Sequence, residues 1–266
     1  MRATEPTARF AALARASAVA VIALLAFAGS AAASGNAGFT GVPDPTQLPY
    51  RAVGELDVRF EFGLEGRCTA SAIDSPSRRL VLTAAHCLYG QICPVCRPLL
   101  PKRIAFVPAY AHHRAPFGSF AGVRWYVPSE WRRRENKDYD FAAVLTAPNA
   151  AGEAVADAVG GGLKVSLDGP RSQTYRLLGY PGKSQQQMHQ CEGAFAGEDP
   201  LSFSLPGPPT TRVRCSMRHG ASGGPWLVEG GTAIGGLTSY FYENRWSYTY
   251  GPYFASRTIG AFLSGL

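Results

Sequence analysis

The sequence predicts an all-β protein, arranged as a β-sandwich or a pair of β-barrels. Two observations carry this. Short apolar segments recur along the chain with turn residues between them. The composition, with 30 Gly and 20 Pro among 266 residues, 46% hydrophobic and 11% aromatic, suits a turn-rich β protein better than a helical one. A chain of this length buries a real core, as one large domain or two small ones. No repeat is visible at solenoid spacing.

The first element is a targeting segment. Arg2, Arg9 and Arg15 precede the apolar run "AVAVIALLAFAG" (18–29), followed by the small residues "SAAAS" (30–34). A basic start, a short apolar run and a small-residue cleavage site define a signal peptide over residues 1–33, cut near Ala33–Ser34. The apolar run is too short to span a bilayer comfortably and no stop-transfer pattern follows it. The expected location is therefore secreted and extracellular, with no membrane association after cleavage. The cysteines at 68, 87, 93, 96, 191 and 215 all lie beyond that segment, and in an oxidising compartment they imply three disulfides.

Residues 34–50, "SGNAGFTGVPDPTQLPY", are Gly/Pro-rich and unpatterned, and read as a flexible arm or propeptide. Residues 51–150 hold a first set of strands. Leu56, Val58, Phe60 and Phe62 alternate with Asp57, Arg59 and Glu61, the period of a half-buried strand. "CTASAI" (68–73), "RLVLTAA" (79–85), "RIAFVP" (103–108), "GVRWYVP" (122–128) and "FAAVLT" (141–146) continue it. The small-residue stretch "APNAAGEAVADAVGGG" (147–162) reads as a connector. Residues 151–266 hold a second set: "TYRLLGYP" (174–181), "TRVRC" (211–215), "PWLVEG" (225–230), "TAIGGLTSY" (232–240) and "SYTYGPYF" (247–254). In the tail "RTIGAFLSGL", Ile259, Phe262 and Leu263 are spaced for a short closing helix.

The net charge is +7, but the Arg residues are mostly scattered. The one charge run, "WRRRENKD" (131–138), reads as a solvated loop. With no aromatic interleaving or binding motif beside it, a nucleic-acid partner is not expected.

Gly220-Ala221-Ser222-Gly223-Gly224 matches the G-x-S-x-G elbow of α/β-hydrolases, in which the base follows the serine along the chain. The five histidines, His86, His112, His113, His189 and His219, all precede Ser222, so chain order excludes that fold. The order His, Asp, Ser can be met. "LTAAHC" (82–87) offers His86 at the end of an apolar strand, "KDYDFAAVL" (137–145) offers an acid before another, and "GASGGP" (220–225) offers the serine. A serine hydroxyl is a poor nucleophile until a base takes its proton, and the base must be oriented by a third group. A Gly-rich loop lets backbone N–H groups converge on an oxyanion.

These three blocks resemble the chymotrypsin-like serine protease family. "AFVPAYAHHRAPFGSF" (105–120), "LLGYP" (177–181) and a Cys seven residues before the serine are similar to its secreted bacterial branch, which includes glutamyl endopeptidases. The resemblance spans roughly residues 51 to 260. It implies two perpendicular six-stranded β-barrels with the site between them, His and Asp from the first and Ser from the second. It also implies an endopeptidase acting on protein or peptide substrates through an acyl-enzyme, as a monomer without cofactor or metal. An esterase on the same fold, or a catalytically silent binding protein, are the competing readings.

The resemblance makes His86 the general base and Ser222 the nucleophile. Gly220 and Ser222 would supply the oxyanion-hole N–H groups, with glycine needed at 220 for its backbone conformation. Both Asp138 and Asp140 precede the strand. The family register, Asp followed by apolar, small and apolar residues, favours Asp140. The residue six before the serine, Ser216, would lie at the base of the specificity pocket, with walls from Met217, Thr238, Ser239 and Tyr240. With no acid at Ser216, cleavage after Arg or Lys is disfavoured. Glutamyl endopeptidases typically carry a His where this chain has Thr238, so a neutral or apolar side chain is expected, although Arg218 leaves room for an acidic one. The family joins Cys68 to Cys87, leaving Cys191 with Cys215, and Cys93 with Cys96 in a very small ring. A zinc site on Cys93, Cys96, His112 and His113 is the alternative use of that last pair. In trypsin-type zymogens the residue before the serine is an Asp that pairs with a newly cut α-amino group. Ala221 cannot do this, so that switch is not expected.

Overall fold

A computed structural model describes residues 38–90, 97–182, 186–200 and 207–266, all within one unit, Asn36–Leu266. The expected signal peptide and the Cys93/Cys96 pair lie outside the described residues. The strands, in chain order, are β1 (Thr40–Gly41), β2 (Val53–Phe60), β3 (Glu65–Ala72), β4 (Leu80–Thr83), β5 (Pro101–Pro108), β6 (Phe120–Tyr126) and β7 (Ala142–Thr146), then β8 (Lys164–Val165), β9 (Thr174–Gly179), β10 (His189–Glu198), β11 (Thr211–Val213), β12 (Pro225–Val228), β13 (Ala233–Leu237) and β14 (Thr249–Gly251). Helices are short: α1 (Ser129–Arg134), α2 (Val155–Ala158) and α3 (Ala261–Ser264).

The first six long strands close a barrel in the order β2-β3-β4-β7-β6-β5. Closure hides the strand edges that an open sheet would leave for aggregation. The alternation in β2 sets which side faces in: Leu56 and Val58 are buried, Leu56 lying opposite Cys68 on β3 and Phe106 on β5. Phe62, expected as the last inward position, is instead 91% exposed. The strand ends at Phe60 and the chain turns back over Glu61–Gly63, where Phe62 adopts φ +60°. The turn, not the hydrophobic period, decides that residue.

The second half forms a sheet in the order β14-β11-β10-β9-β12-β13, with β8 added parallel to β13 and β1 paired to β10. A bridge between Tyr240 and Tyr250 brings the two ends of this order together. Strand β10 had no signal in the sequence, because "HQCEGAFAGE" interleaves its apolar residues with Glu and Gly. One apolar core runs from the first barrel through Leu178, Tyr180, Leu227 and Ile234 into the second half. Tyr175, Leu177, Met217 and Trp226 form another.

Two connecting segments differ from expectation. The charge run is not a loop throughout: α1 buries Trp131 while Arg132, Arg133 and Arg134 stay in water, and Glu135 ends it in the left-handed region. The connector carries α2, whose Val155 and Ala156 are buried. The closing helix α3 follows a wider turn at Ser256–Gly260. Ile259 is buried, and Phe262 packs its ring 5.3 Å from that of Phe141.

Glu55 sits on β2 only 4% exposed, with its Oε1 3.2 Å from Arg67 Nε. Burial, and then the neighbouring charge of Asp57, push its carboxyl up to about 7, against the partial relief given by Arg67. Between pH 4.5 and about 7 the unfolded chain releases this proton while the folded chain keeps it, so stability falls as pH rises, by about 1.4 kcal/mol per pH unit for this group. Thermal unfolding of the Glu55→Gln variant should therefore match the parent at pH 4 and exceed it at pH 8. Equal melting temperatures at pH 8 would refute the assignment.

Candidate active site

The turn after β4 sets the histidine. The segment Ala85–Cys87 forms a single tight turn, and the Cys68–Cys87 disulfide ties it to β3. Asp140, at the entrance to β7, is fully buried. Its Oδ1 accepts the His86 backbone N–H at 2.9 Å and its Oδ2 lies 2.8 Å from His86 Nδ1. The Ser239 hydroxyl also donates to Oδ2. Burial alone would raise this carboxyl's pKa. The charge and hydrogen bond of His86, the Lys137 charge and the Ser239 hydroxyl outweigh it and hold Asp140 below the usual carboxylate value. An ionised Asp140 on Nδ1 fixes the ring and leaves Nε2 as the basic nitrogen.

Asp138, two residues earlier, is buried elsewhere. Its carboxylate lies beside Gly207, where a Cβ would stand 2.6 Å from Oδ2. The structure thus brings Asp140, not Asp138, to His86, in line with the strand register.

Ser222 and His86 line one cleft of about 440 Å³ together with Trp131, Lys137, Arg218, His219, Tyr240 and Phe241. The loop Gly220–Gly224 is held peptide by peptide. The His219 carbonyl accepts Gly182 N–H at 2.6 Å, and the Ala221 carbonyl accepts Gly224 N–H at 2.8 Å. In a trans peptide the N–H points opposite to its C=O, so the Gly220 and Ser222 N–H groups are both turned away from these partners. Among the described residues neither donates to a protein acceptor. Gly220 has φ +94°, and a Cβ there would lie 2.4 Å from the Tyr180 carbonyl. Glycine is required on both counts.

The expected pocket residues divide. Thr238 and Tyr240 line the cleft, and Thr238 Oγ1 also accepts the Trp226 indole N–H at 3.0 Å. Ser239 lines it too, but its hydroxyl serves Asp140. Tyr240 is held by its hydroxyl on Asp199 at 2.6 Å, as is Tyr242 at 2.7 Å. Ser216 and Met217 are not among the lining residues. Met217 is fully buried in the second core, because its backbone N–H is drawn onto Thr249 Oγ1. Arg218 takes the wall instead. Its guanidinium lies 4.2 Å from the Trp246 ring centroid and 5.8 Å from that of Phe241, with Nη1 buried and without a hydrogen-bond partner. Burial lowers its pKa, yet it stays cationic.

Cys191 and Cys215 are bonded, as is the Cys68–Cys87 pair. His112 and His113 occupy an exposed turn, both with positive φ, and His219 is exposed at the cleft with its ring on Phe241. The roles of Ser239, Trp131 and Lys137 had no sequence signal, since each depends on a partner distant in the chain.

No family model matches the chain. A glutamyl endopeptidase of Bacillus licheniformis is 27% identical over 159 residues, 59% of this chain, and the match spans only 45% of that relative's length. Among solved structures, the protease Anisep from Arthrobacter nicotinovorans superimposes with a TM-score of 0.69 at 27% identity, covering 79% of this chain and 93% of its own. The thermostable serine protease AL20 from an extremophilic microorganism gives 0.70 at 27% identity, covering 81% and 96%. With its closed six-stranded barrel and its second, mostly antiparallel sheet, the chain has the fold of these serine proteases and is similar to them in sequence, the glutamyl endopeptidase included.

Proposed function

We propose that the chain is a secreted serine endopeptidase working through His86, Asp140 and Ser222. The observation that carries this is the buried Asp140 carboxylate bonded to His86 Nδ1 in the same cleft as Ser222. In the proposed cycle His86 Nε2 takes the Ser222 hydroxyl proton as Oγ adds to the scissile carbonyl. The Gly220 and Ser222 N–H groups receive the oxyanion, and His86 returns the proton to the leaving amine as the C–N bond breaks. Water, deprotonated by the same nitrogen, then hydrolyses the acyl-enzyme. Asp140 stays ionised throughout and stabilises the imidazolium.

The cleft also supports a substrate preference. Among the described residues no carboxylate pairs with Arg218. A cation with an unpartnered N–H, four residues before the nucleophile, favours an acidic side chain before the scissile bond. Glu243 and Glu135 also line the cleft and act against this preference, since a carboxylate repels an acidic side chain, while Arg218 is nearer Ser222 in the chain than either.

Signal-free protein should be labelled at Ser222 by a peptidyl phosphonate, located by mass mapping, and should cleave peptides. No label on folded protein would sink the enzyme reading, and label without peptide cleavage would indicate an esterase. Asp140→Asn should lower kcat by about 10⁴-fold, because the base loses its tautomer and orientation, while Asp138→Asn should keep most of the turnover. The reverse order would move the acid to Asp138. In a peptide-library digest, Arg218→Gln should erase a preference for Glu or Asp before the cut and leave cleavage after neutral residues intact. An unchanged library profile would remove Arg218 from recognition.

A further inference from the structure

We infer that the Thr69 hydroxyl is a positioning group for the oxyanion loop, and that it does the ordering work that an Asp–amine pair does in trypsin-type zymogens. This rests on the serine protease reading above. Thr69 belongs to β3 of the first barrel, yet the backbone it holds belongs to the second half of the chain. Its Oγ1 donates to the Gly220 carbonyl at 2.9 Å and accepts the Tyr180 N–H at 3.0 Å. Its own N–H donates to the Ser222 carbonyl at 2.7 Å, and its carbonyl accepts the Thr83 hydroxyl at 2.9 Å. The residue is fully buried and its hydroxyl uses both its donor and an acceptor position.

The geometry at Gly220 explains why a single hydroxyl matters. The peptide before Gly220 is fixed by Gly182 N–H on the His219 carbonyl, and the peptide after it is fixed by Thr69 Oγ1 on the Gly220 carbonyl. Glycine at φ +94° has wide torsional freedom, and the other bond on the peptide after it, Ala221 N–H on the Arg218 carbonyl at 3.0 Å, stays within the loop, so Thr69 is the anchor that ties that peptide to the first barrel. An oxyanion donor works through pre-set direction, and a donor free to rotate loses most of its effect.

The loop has no room for an acid–amine pair. Ala221 is fully buried, and a Cβ on Gly179 would lie 2.7 Å from the Ala221 Cβ. That space admits neither a carboxylate nor a water to solvate one, so an acid before the serine has no place here. Gly223 is seated equally tightly, since a Cβ there would lie 2.4 Å from the Thr69 carbonyl and 2.2 Å from Thr83 Oγ1. The loop is ordered by being docked on β3, and the docking is complete once the two halves are folded together.

The test compares Thr69→Val, which keeps the shape and removes the hydroxyl, with Thr69→Ser, which keeps the hydroxyl. Thr69→Val should lose about 10- to 100-fold in kcat with KM within about twofold. Its affinity for a peptidyl trifluoromethyl ketone should fall by the same factor, while a product-like peptide carboxylate binds as before. Thr69→Ser should recover most of the kcat. If Thr69→Val does not fold, Thr69→Ala against Thr69→Ser decides, and equal kcat in that pair overturns the proposal. So does a Thr69→Val protein of parental kcat. Failure of the parent protein itself to take the phosphonate label would overturn the protease reading instead, so the two failures are separable.

Discussion

The peptide joining Ser222 to Gly223 is held from both sides of the cleft. Its carbonyl accepts the Thr69 N–H at 2.7 Å and its N–H donates to the Thr238 carbonyl at 2.7 Å. One of those partners is on the first barrel and the other is on the extension of β13. A trans peptide presents its two polar groups in opposite directions, so this single unit can bridge the first barrel and the second sheet. It fixes Ser222 against the barrel that carries His86. A shift of about 1 Å between the two would cost a catalytic constellation most of its effect.

The His86 turn is tied to the same strand by a covalent route. Cys68 precedes Thr69 and Cys87 follows His86, so the disulfide between them couples the seat of the serine loop to the histidine turn. Asp140 then closes the arrangement. It binds His86 through both backbone and ring, and it binds Ser239, whose neighbour Thr238 holds Gly223. A buried carboxylate is costly unless compensated. Here the cationic surroundings and hydrogen bonds keep it ionised, which is the state that orients an imidazole.

The cleft wall shows how local backbone demands redirect a side chain. Residues 216 and 217 lie on the approach to the serine and have the spacing of pocket residues. Thr249 captures the Met217 N–H and the Cys215 carbonyl, which rolls Met217 into the core. Arg218 comes to the surface in its place, stacked on Trp246 and Phe241 from a loop some 25 residues further on. A guanidinium stacked on aromatic faces keeps its in-plane N–H groups available for an anion. Arg218 therefore places a cation on the cleft wall, where the family positions Ser216 and Thr238 had suggested a neutral pocket.

By itself the sequence determined the strand-rich class and the chain order in which a His, an Asp and a Ser can be met, while the preference for Asp140 and for glycine at 220 came with the family resemblance. The first two are written in a local pattern, a period or an order along the chain. It also excluded the hydrolase elbow, because no histidine follows Ser222. Only the tertiary structure decided the rest. Phe62 left the core because the chain had to turn, β10 formed because β9 and β11 offered it ladders, and Ser239 and Thr69 gained partners 99 and 151 residues away. A hydrogen bond across such separations leaves no trace in spacing or composition. It exists because two folded halves meet, and the geometry of the cleft is a property of that meeting.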